Sequence, residues 1–298
     1  MTGSRALVWL ALLIALLATV VCLAALISAD GDGRRAFTSI RGEQVELYGE
    51  GLYEFDTVFI AASSRGTDLV TLALGVPFLL VTLVLYHRGS IRGALLLAGT
   101  LAYFLYVYAS RALANAYNGL FLLYIALFSA SLYAFILAVR SLDLRALASR
   151  LRVERPRRPV AWFLLASAAV TTLVWLVPLL GVVVRGDAPK YLDTYTTTVT
   201  DVLDLGVLVP TLVVSAVLIL RRVALGYLLA IVLLVLLLFV AATIVVGTLV
   251  QVAADVTFTT GEIVGPIAGF VVLAAIAVWL LVGLVRDAAP IPPGGRRS

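Results

Sequence analysis

Two related stretches, TDLVTLALGVP at 67–77 and TDVLDLGVLVP at 200–210, decide the fold, because each opens an apolar run with Thr-Asp and carries a proline inside it. Apolar runs long enough to cross a hydrocarbon layer of roughly 30 Å as helices occur eight times in the 298 residues. They lie at about 6–27, 69–86, 93–110, 119–139, 160–184, 202–220, 223–250 and 263–285. The sequence therefore predicts an all-α, polytopic integral membrane protein with eight transmembrane helices.

The composition excludes a soluble domain. Hydrophobic residues make up 62% of the chain and charged residues 13%, whereas soluble domains carry about 25% charged residues. Strands that are apolar on both faces cannot form a lipid-facing barrel, so helices are the expected elements. Lys190 is the single lysine among the 22 basic residues, and this preference for arginine indicates a GC-rich, bacterial genome.

The distribution of charge predicts the orientation. With eight spans, 15 of the 22 basic residues fall on the side that holds both termini, and 14 of the 17 acidic residues fall on the other side. Under the positive-inside rule both termini are cytoplasmic, and a multi-pass protein of the plasma membrane is expected. The first apolar run is interpreted as a retained anchor rather than a cleaved signal peptide. The basic inner face is expected to contact anionic membrane lipids, not nucleic acid.

A shift of 133 residues superposes 67–93 on 200–226 and makes 11 of 27 positions identical. This pattern predicts a 4+4 internal repeat with both copies in the same orientation. The first repeat would span 1–139 with a long outer loop at 29–66, an Arg-rich cytoplasmic linker would occupy 140–159, and the second repeat would span 160–298. Pro77 and Pro210 would kink the second and sixth helices, as packing features or as gating hinges.

Polar residues gather at the predicted outer ends of the helices. Helical spacing places several of them on common faces, and they suggest a crevice between the repeats that opens outward. The candidate ligand-binding residues are Arg65, Asp68, Tyr108, Arg111, Asn115, Asn118, Asp201, Asp204 and Glu262.

Asp204 is the strongest candidate among them. Asp68 and Asp201 can be explained as caps of helix N-termini. Asp204 lies one turn deeper, where a charge needs a basic partner, a water-filled cavity or a proton. The carboxylates of the first outer loop are expected to be solvated, and the spacing of Phe55, Val58, Phe59 and Ala62 suggests an interfacial helix leading into the second span.

Several chemistries are excluded. His87 is the only histidine and Cys22 the only cysteine, so no histidine-based metal or haem site and no disulfide are expected. Neither a phosphate-binding GxxxxGK[ST] loop nor a GxSxG elbow is present. The sequence thus predicts no cofactor, no metal site and no catalytic residue set.

Three functions remain open. The favoured interpretation is a binding or transport protein that takes a small polar or cationic ligand from the outer side. The second is a scaffold or accessory subunit with a partner protein, in which the charges are caps and ion pairs. The third is an enzyme that acts on a lipid-linked substrate at the outer leaflet through paired carboxylates, such as Asp201 with Asp204, or Glu50, Glu54 or Asp56.

Overall fold

The chain folds into a bundle of long helices. The computed structural model describes residues 4–150 and 157–288. For residues 149–150, 260, 262–266 and 287 it describes the backbone alone. Eight helical stretches of the described residues are long and apolar enough to cross a membrane, which confirms the multi-pass helical class. The spans are α1 (Arg5–Ile27), α2 (Val58–Val70) continued by α3 (Val76–His87), α4 (Ile91–Ala114), α5 (Phe121–Arg140), α7 (Arg158–Arg185), α8 (Val199–Leu203) continued by α9 (Val209–Leu220), α10 (Ala224–Ala253) and α11 (Thr260–Asp287).

The loop between α1 and the second span contains secondary structure of its own. A two-stranded antiparallel hairpin, β1 (Arg35–Thr38) with β2 (Gln44–Leu47), is followed by a short 3₁₀ turn at Gly51–Tyr53. The sequence analysis did not predict these strands, because four-residue segments give little periodicity. The interfacial helix expected from Phe55 onward is the first part of the second span, which begins at Val58 instead of near 69.

The two helices that follow the proline-containing spans pack against each other at the centre of the bundle. α10 contacts α2, α4, α9 and α11, and α4 contacts α3, α5 and α10. The axes of α4 and α10 approach closely at Gly99, where a Cβ atom would lie 2.6 Å from the Cβ of Val235. A side chain at Gly99 would therefore push the two central helices apart.

Both proline-containing spans change from α to π geometry just before the proline. The first has a π turn at Thr71–Gly75 between α2 and α3 (Val76–His87), and the second has one at Asp204–Leu208 between α8 (Val199–Leu203) and α9 (Val209–Leu220). Proline has no N–H to donate to the preceding turn, and a π turn accommodates the missing bond with one extra residue. Pro77 and Pro210 therefore shape local helix geometry.

The segment between α5 and α7 contains a short helix, α6 (Leu144–Arg150), that contacts α10. Leu142 and Leu147 are buried there. Residues 151–156 of the predicted Arg-rich linker and 289–298 of the predicted cytoplasmic tail lie outside the described residues.

Candidate functional site

Asp68 and Arg111 form a buried ion pair among the first four spans. Arg111 Nη2 donates to Asp68 Oδ1 over 3.0 Å, and both side chains are about 5% exposed or less. The Tyr53 hydroxyl donates to Asp68 Oδ2 over 2.6 Å, and the Arg111 guanidinium stacks over the Tyr53 ring at 5.3 Å. Arg111 also donates to the Ser64 carbonyl. The carboxylate and the guanidinium thus satisfy each other, which leaves no net charge for a ligand.

This position corrects the interpretation of Asp68 as a helix cap. The helix begins at Val58, ten residues before Asp68, because the apolar residues of 58–62 extend it outward. Asp201 does lie in the first turn of α8, where a carboxylate is favourable.

Arg65 and Asn115 form hydrogen bonds that connect different segments of the chain. Arg65 donates to the carbonyls of Ala25 and Leu26 at the end of α1, over 3.3 and 3.2 Å. Asn115 donates to Asp56 and to the Ser64 hydroxyl.

Tyr108 and Asn118 are also buried. Tyr108 is buried against Phe104, with 6.2 Å between the ring centroids. The side-chain oxygen of Asn118 accepts the Leu120 N–H over 2.9 Å.

Asp56 is buried, although the sequence analysis expected it to be solvated. Its Oδ1 accepts the Ala116 N–H at 2.8 Å and the Tyr195 hydroxyl at 2.5 Å. Burial raises the pKa of the Asp56 carboxyl, and the hydrogen bonds from Ala116, Tyr195 and Asn115 oppose that rise. Tyr195 belongs to the loop between α7 and α8, so Asp56 links the segment before α2 to that loop.

Asp204 lies in a different place from the Asp68 pair. Its Oδ1 accepts the Tyr106 hydroxyl from α4 at 2.9 Å, and its Oδ2 accepts the Trp175 indole N–H from α7 at 2.8 Å. The residue is 6% exposed. Among the described residues no basic side chain forms an ion pair with it. Two neutral donors leave part of the hydrogen-bonding capacity of the carboxylate unused.

A groove extends from Asp204 between α7, α9, α10 and α11. Its cavity volume is about 60 Å³, enough for a few water-sized groups. The lining is mainly aliphatic and aromatic, and it includes the Ser167 hydroxyl, which is buried without a hydrogen-bond partner in the part of the chain that the structure describes. Val170 and Val174 border the groove and are 42% and 47% exposed, so it opens sideways onto the apolar surface of the bundle.

The 133-residue shift aligns residues that line this groove with larger residues elsewhere in the chain. The groove residues Leu237, Ala241 and Ile244 of α10 correspond to three larger, buried residues of α4. Those residues are Phe104, Tyr108 and Arg111. Side chains fill the interior in the first half, and the smaller counterparts leave space in the second.

The sequence-predicted set is therefore divided between two places. Asp68 and Arg111 are together, Asp204 lies at the groove, and Asp201 is buried near Asp204 at the start of the same span. The side chain of Glu262 is not among those described.

The sequence analysis missed both hydrogen-bond partners of Asp204, Tyr106 and Trp175, and the groove residue Ser167. Trp175, Tyr106 and Ser167 lie inside apolar runs, where aromatic and small hydroxyl residues are common and give no signal of their own. A comparison at the 133-residue shift contained the relevant signal, because α10 lacks an arginine and two aromatic residues of α4. The neighbouring span keeps one aspartate, Asp201, and gains a second, Asp204, where the first span has Thr71.

The fold and the site together define an integral membrane protein with eight apolar helices and a buried carboxylate beside a groove. No family model, no curated protein and no solved structure matches the chain.

Proposed function

We propose that this protein binds or transports a cationic ligand, with Asp204 as the anchoring carboxylate. The observation that carries the proposal is that Asp204 is buried at one end of a groove without a basic partner among the described residues. A carboxylate at this depth is stabilised by a cation, a proton or water. A cationic group in the groove would supply the charge that Arg111 supplies to Asp68.

The groove of the proposed site is lined by residues of the second half, and the first half contributes Tyr106, which donates to Asp204. Asp201 contributes a second carboxylate near the outer end of the same span, so the region attracts cations even where Asp201 does not touch the ligand. The closed Asp68 pair belongs to the framework of the protein.

We also propose that the bundle is a 4+4 repeat with both termini in the cytoplasm. The two π turns support the repeat, since Thr71–Gly75 and Asp204–Leu208 are 133 residues apart. Gly89 and Arg222, which the same shift aligns, both have positive φ, 76° and 62°. The charge asymmetry of the sequence supports the orientation and a location in the plasma membrane.

The packing of the helices also supports the repeat. The contacts of α3 with α4, of α4 with α5 and of α1 with α3 have counterparts in those of α9 with α10, of α10 with α11 and of α7 with α9. Two similar halves around the α4–α10 contact suit a carrier that rocks one half against the other.

The scaffold alternative is favoured by the first half alone, where the charges pair fully. The groove beside Asp204 disfavours the scaffold alternative, because a scaffold would be expected to have a fully paired cluster without a cavity. The enzyme alternative requires two carboxylates that face one pocket, whereas Asp204 is the one described carboxylate that lines the groove.

Thermal unfolding of the purified protein with a panel of ammonium, guanidinium and inorganic cations tests the proposal. A cation that binds the folded state raises the melting temperature by mass action. We expect a shift for the wild type and none for Asp204→Asn, which keeps the size of the side chain and removes its charge. Asp187→Asn, at a carboxylate that is 59% exposed, is the control that should retain the shift. If Asp204→Asn retained it as well, the proposal would be wrong.

A further inference from the structure

The groove beside Asp204 is mostly apolar, which restricts the kind of cation that fits it. Along α7 its lining runs from Phe163 to Trp175, a distance of about 18 Å along the helix axis. An inorganic ion or a small hydrophilic cation would satisfy Asp204 but would leave this apolar length uncovered.

The groove is open to lipid on one side. In the first half α1 packs against α5. The corresponding helices of the second half, α7 and α11, make little direct contact in the described residues. Exposed Val170 and Val174 border this gap, so a molecule dissolved in the bilayer could enter without crossing the polar outer loops.

Polar atoms on α7 mark a path from the groove to the carboxylate. Ser167, Thr171 and Trp175 recur every four residues and all line the groove, so they lie on one face of the helix. Trp175 donates to Asp204, and the Ser167 hydroxyl is 3% exposed and has no partner in the described residues. A buried hydroxyl of this kind is stabilised when a ligand supplies a hydrogen bond.

We infer that the ligand is a single-chain amphiphile with a cationic head, which enters from the surrounding leaflet between α7 and α11. Its head binds Asp204, a polar group behind the head bonds to Ser167, and its hydrocarbon chain lies in the groove. Charge complementarity with an unpaired buried carboxylate selects the cationic head. The small volume of the groove leaves room for no more than one chain, which also contacts the surrounding lipid along the open side at Val170 and Val174. This inference rests on the proposed function and adds the class of ligand.

Trp175 provides a built-in reporter for the test. The other tryptophans, Trp9, Trp162 and Trp279, are 72%, 63% and 69% exposed, so each can be replaced by Phe on the apolar surface. The full chain with Trp175 alone, in lipid nanodiscs, is titrated with dodecyl aminohexanoate brominated on its chain. Bromine quenches the fluorescence of an indole that it contacts.

Three unbrominated competitors separate the parts of the inference. They are dodecyl aminohexanoate, methyl aminohexanoate, which lacks the long chain, and dodecyl hexanoate, which lacks the amine. We expect saturable quenching of Trp175. Dodecyl aminohexanoate should compete at least about tenfold better than either of the other two compounds, because both the ion pair and the buried chain contribute to its binding.

Variants of the groove provide the structural controls. Ala241→Tyr introduces the residue of the first half and fills the groove, so it should abolish saturable quenching. Leu249→Tyr, on the exposed surface of the same helix, should leave it unchanged. Ser167→Ala should weaken binding of the ester-containing probe several-fold while the unliganded protein melts at the same or a higher temperature.

The failures are distinguishable. Equal competition by methyl aminohexanoate would overturn the inference that the ligand is an amphiphile and would leave the cation site of the proposed function intact. Equal competition by dodecyl hexanoate would overturn both, because the charge would then be irrelevant. Quenching no greater than that of an Asp204→Asn variant would also overturn both.

Discussion

Arg111 and Ile244 occupy positions 133 residues apart in the two central helices, and their difference in charge separates a closed site from an open one. In the first half the guanidinium neutralises Asp68 over 3.0 Å. In the second half an isoleucine lines the groove that contains Asp204. The shift aligns Asp68 with Asp201 and Thr71 with Asp204. Arginine at the first of these positions accompanies a neutralised Asp68, and isoleucine at the second accompanies an Asp204 that has no basic partner among the described residues.

Removal of Arg111 should destabilise the protein strongly. Arg111→Ala leaves Asp68 buried and unpaired, so the free energy of unfolding should fall by about 3–5 kcal/mol. Asp68→Asn in the same chain should restore part of that loss, which a double-mutant cycle in detergent measures.

Arg185→Gln is the matched control for this cycle. The ion pair of Arg185 with Asp187 is exposed, and a change of at most about 1 kcal/mol is expected. A change as small as this for Arg111→Ala would contradict the structural role of the buried pair.

At the scale of elements, the π turns are the features that distinguish the two proline-containing spans from ordinary helices. A π turn closes with an i→i+5 bond, one residue more than the α-helical bond. When one residue of the π turn is removed, the turn becomes α-helical, and the residues before and after it therefore still point to the same sides of the bundle.

Deletion of Val207, which is 60% exposed within the second π turn, should yield a regular helix and a folded protein. Deletion of Val214, 50% exposed in the regular α9, should rotate all following residues by about 100° and abolish folding. Leu74 and Val81 are the equivalent pair in the first half. Size-exclusion chromatography and thermal melting of the four deletions measure the outcome, and equal loss of folding in each pair would refute this account of the turns.

The helices were predictable from the sequence because each apolar run carries its own signal. The second span was predicted to begin near 69 and begins at Val58, since Arg65 and Asp68 interrupt the apolar pattern although both are satisfied inside the protein. The hairpin at 35–47 was missed because its two strands, of four residues each, are too short to give a clear periodicity.

The site was only partly predictable. Asp204 could be singled out by its depth, since a lone carboxylate inside an apolar run is costly. Its partners could not, because Tyr106 and Trp175 are 98 and 29 residues away in the sequence. Distances of this kind are decided by helix packing rather than by any local pattern.

At the scale of the whole molecule, side-chain contacts join the segment before and at the start of α2 to the loop between α7 and α8. Tyr195 donates to Asp56, and the Phe59 and Tyr191 rings stack with 4.1 Å between centroids. Arg41 donates to the Asp193 and Tyr195 carbonyls. A rocking motion of the halves would have to loosen these contacts.

Asp56 makes this connection dependent on pH. Because burial raises its pKa above the ordinary value of 3.8, the folded protein binds the Asp56 proton more tightly than the unfolded chain does. Its contribution to stability is complete below about pH 4 and is lost as the pH rises through the raised pKa. The melting temperature of the wild type relative to Asp56→Asn should therefore decrease between acidic and neutral pH.

Glu46→Gln is the control for the pH series, because the Glu46 side chain lies in the same loop and is 56% exposed. It should give a difference from the wild type that changes little with pH. A difference between the wild type and Asp56→Asn that grew with pH would show that the carboxylate is stabilised by charge instead.

The most direct test of the central claim is to place the arginine of the first half in the second. Ile244→Arg should neutralise Asp204 from within, so that cation-induced stabilisation is lost while the unliganded protein stays folded and melts at the same or a higher temperature. Ile244→Gln, of similar length without the charge, should retain more of the stabilisation. Undiminished cation binding by a folded Ile244→Arg protein would contradict the assignment of this groove as the cation site.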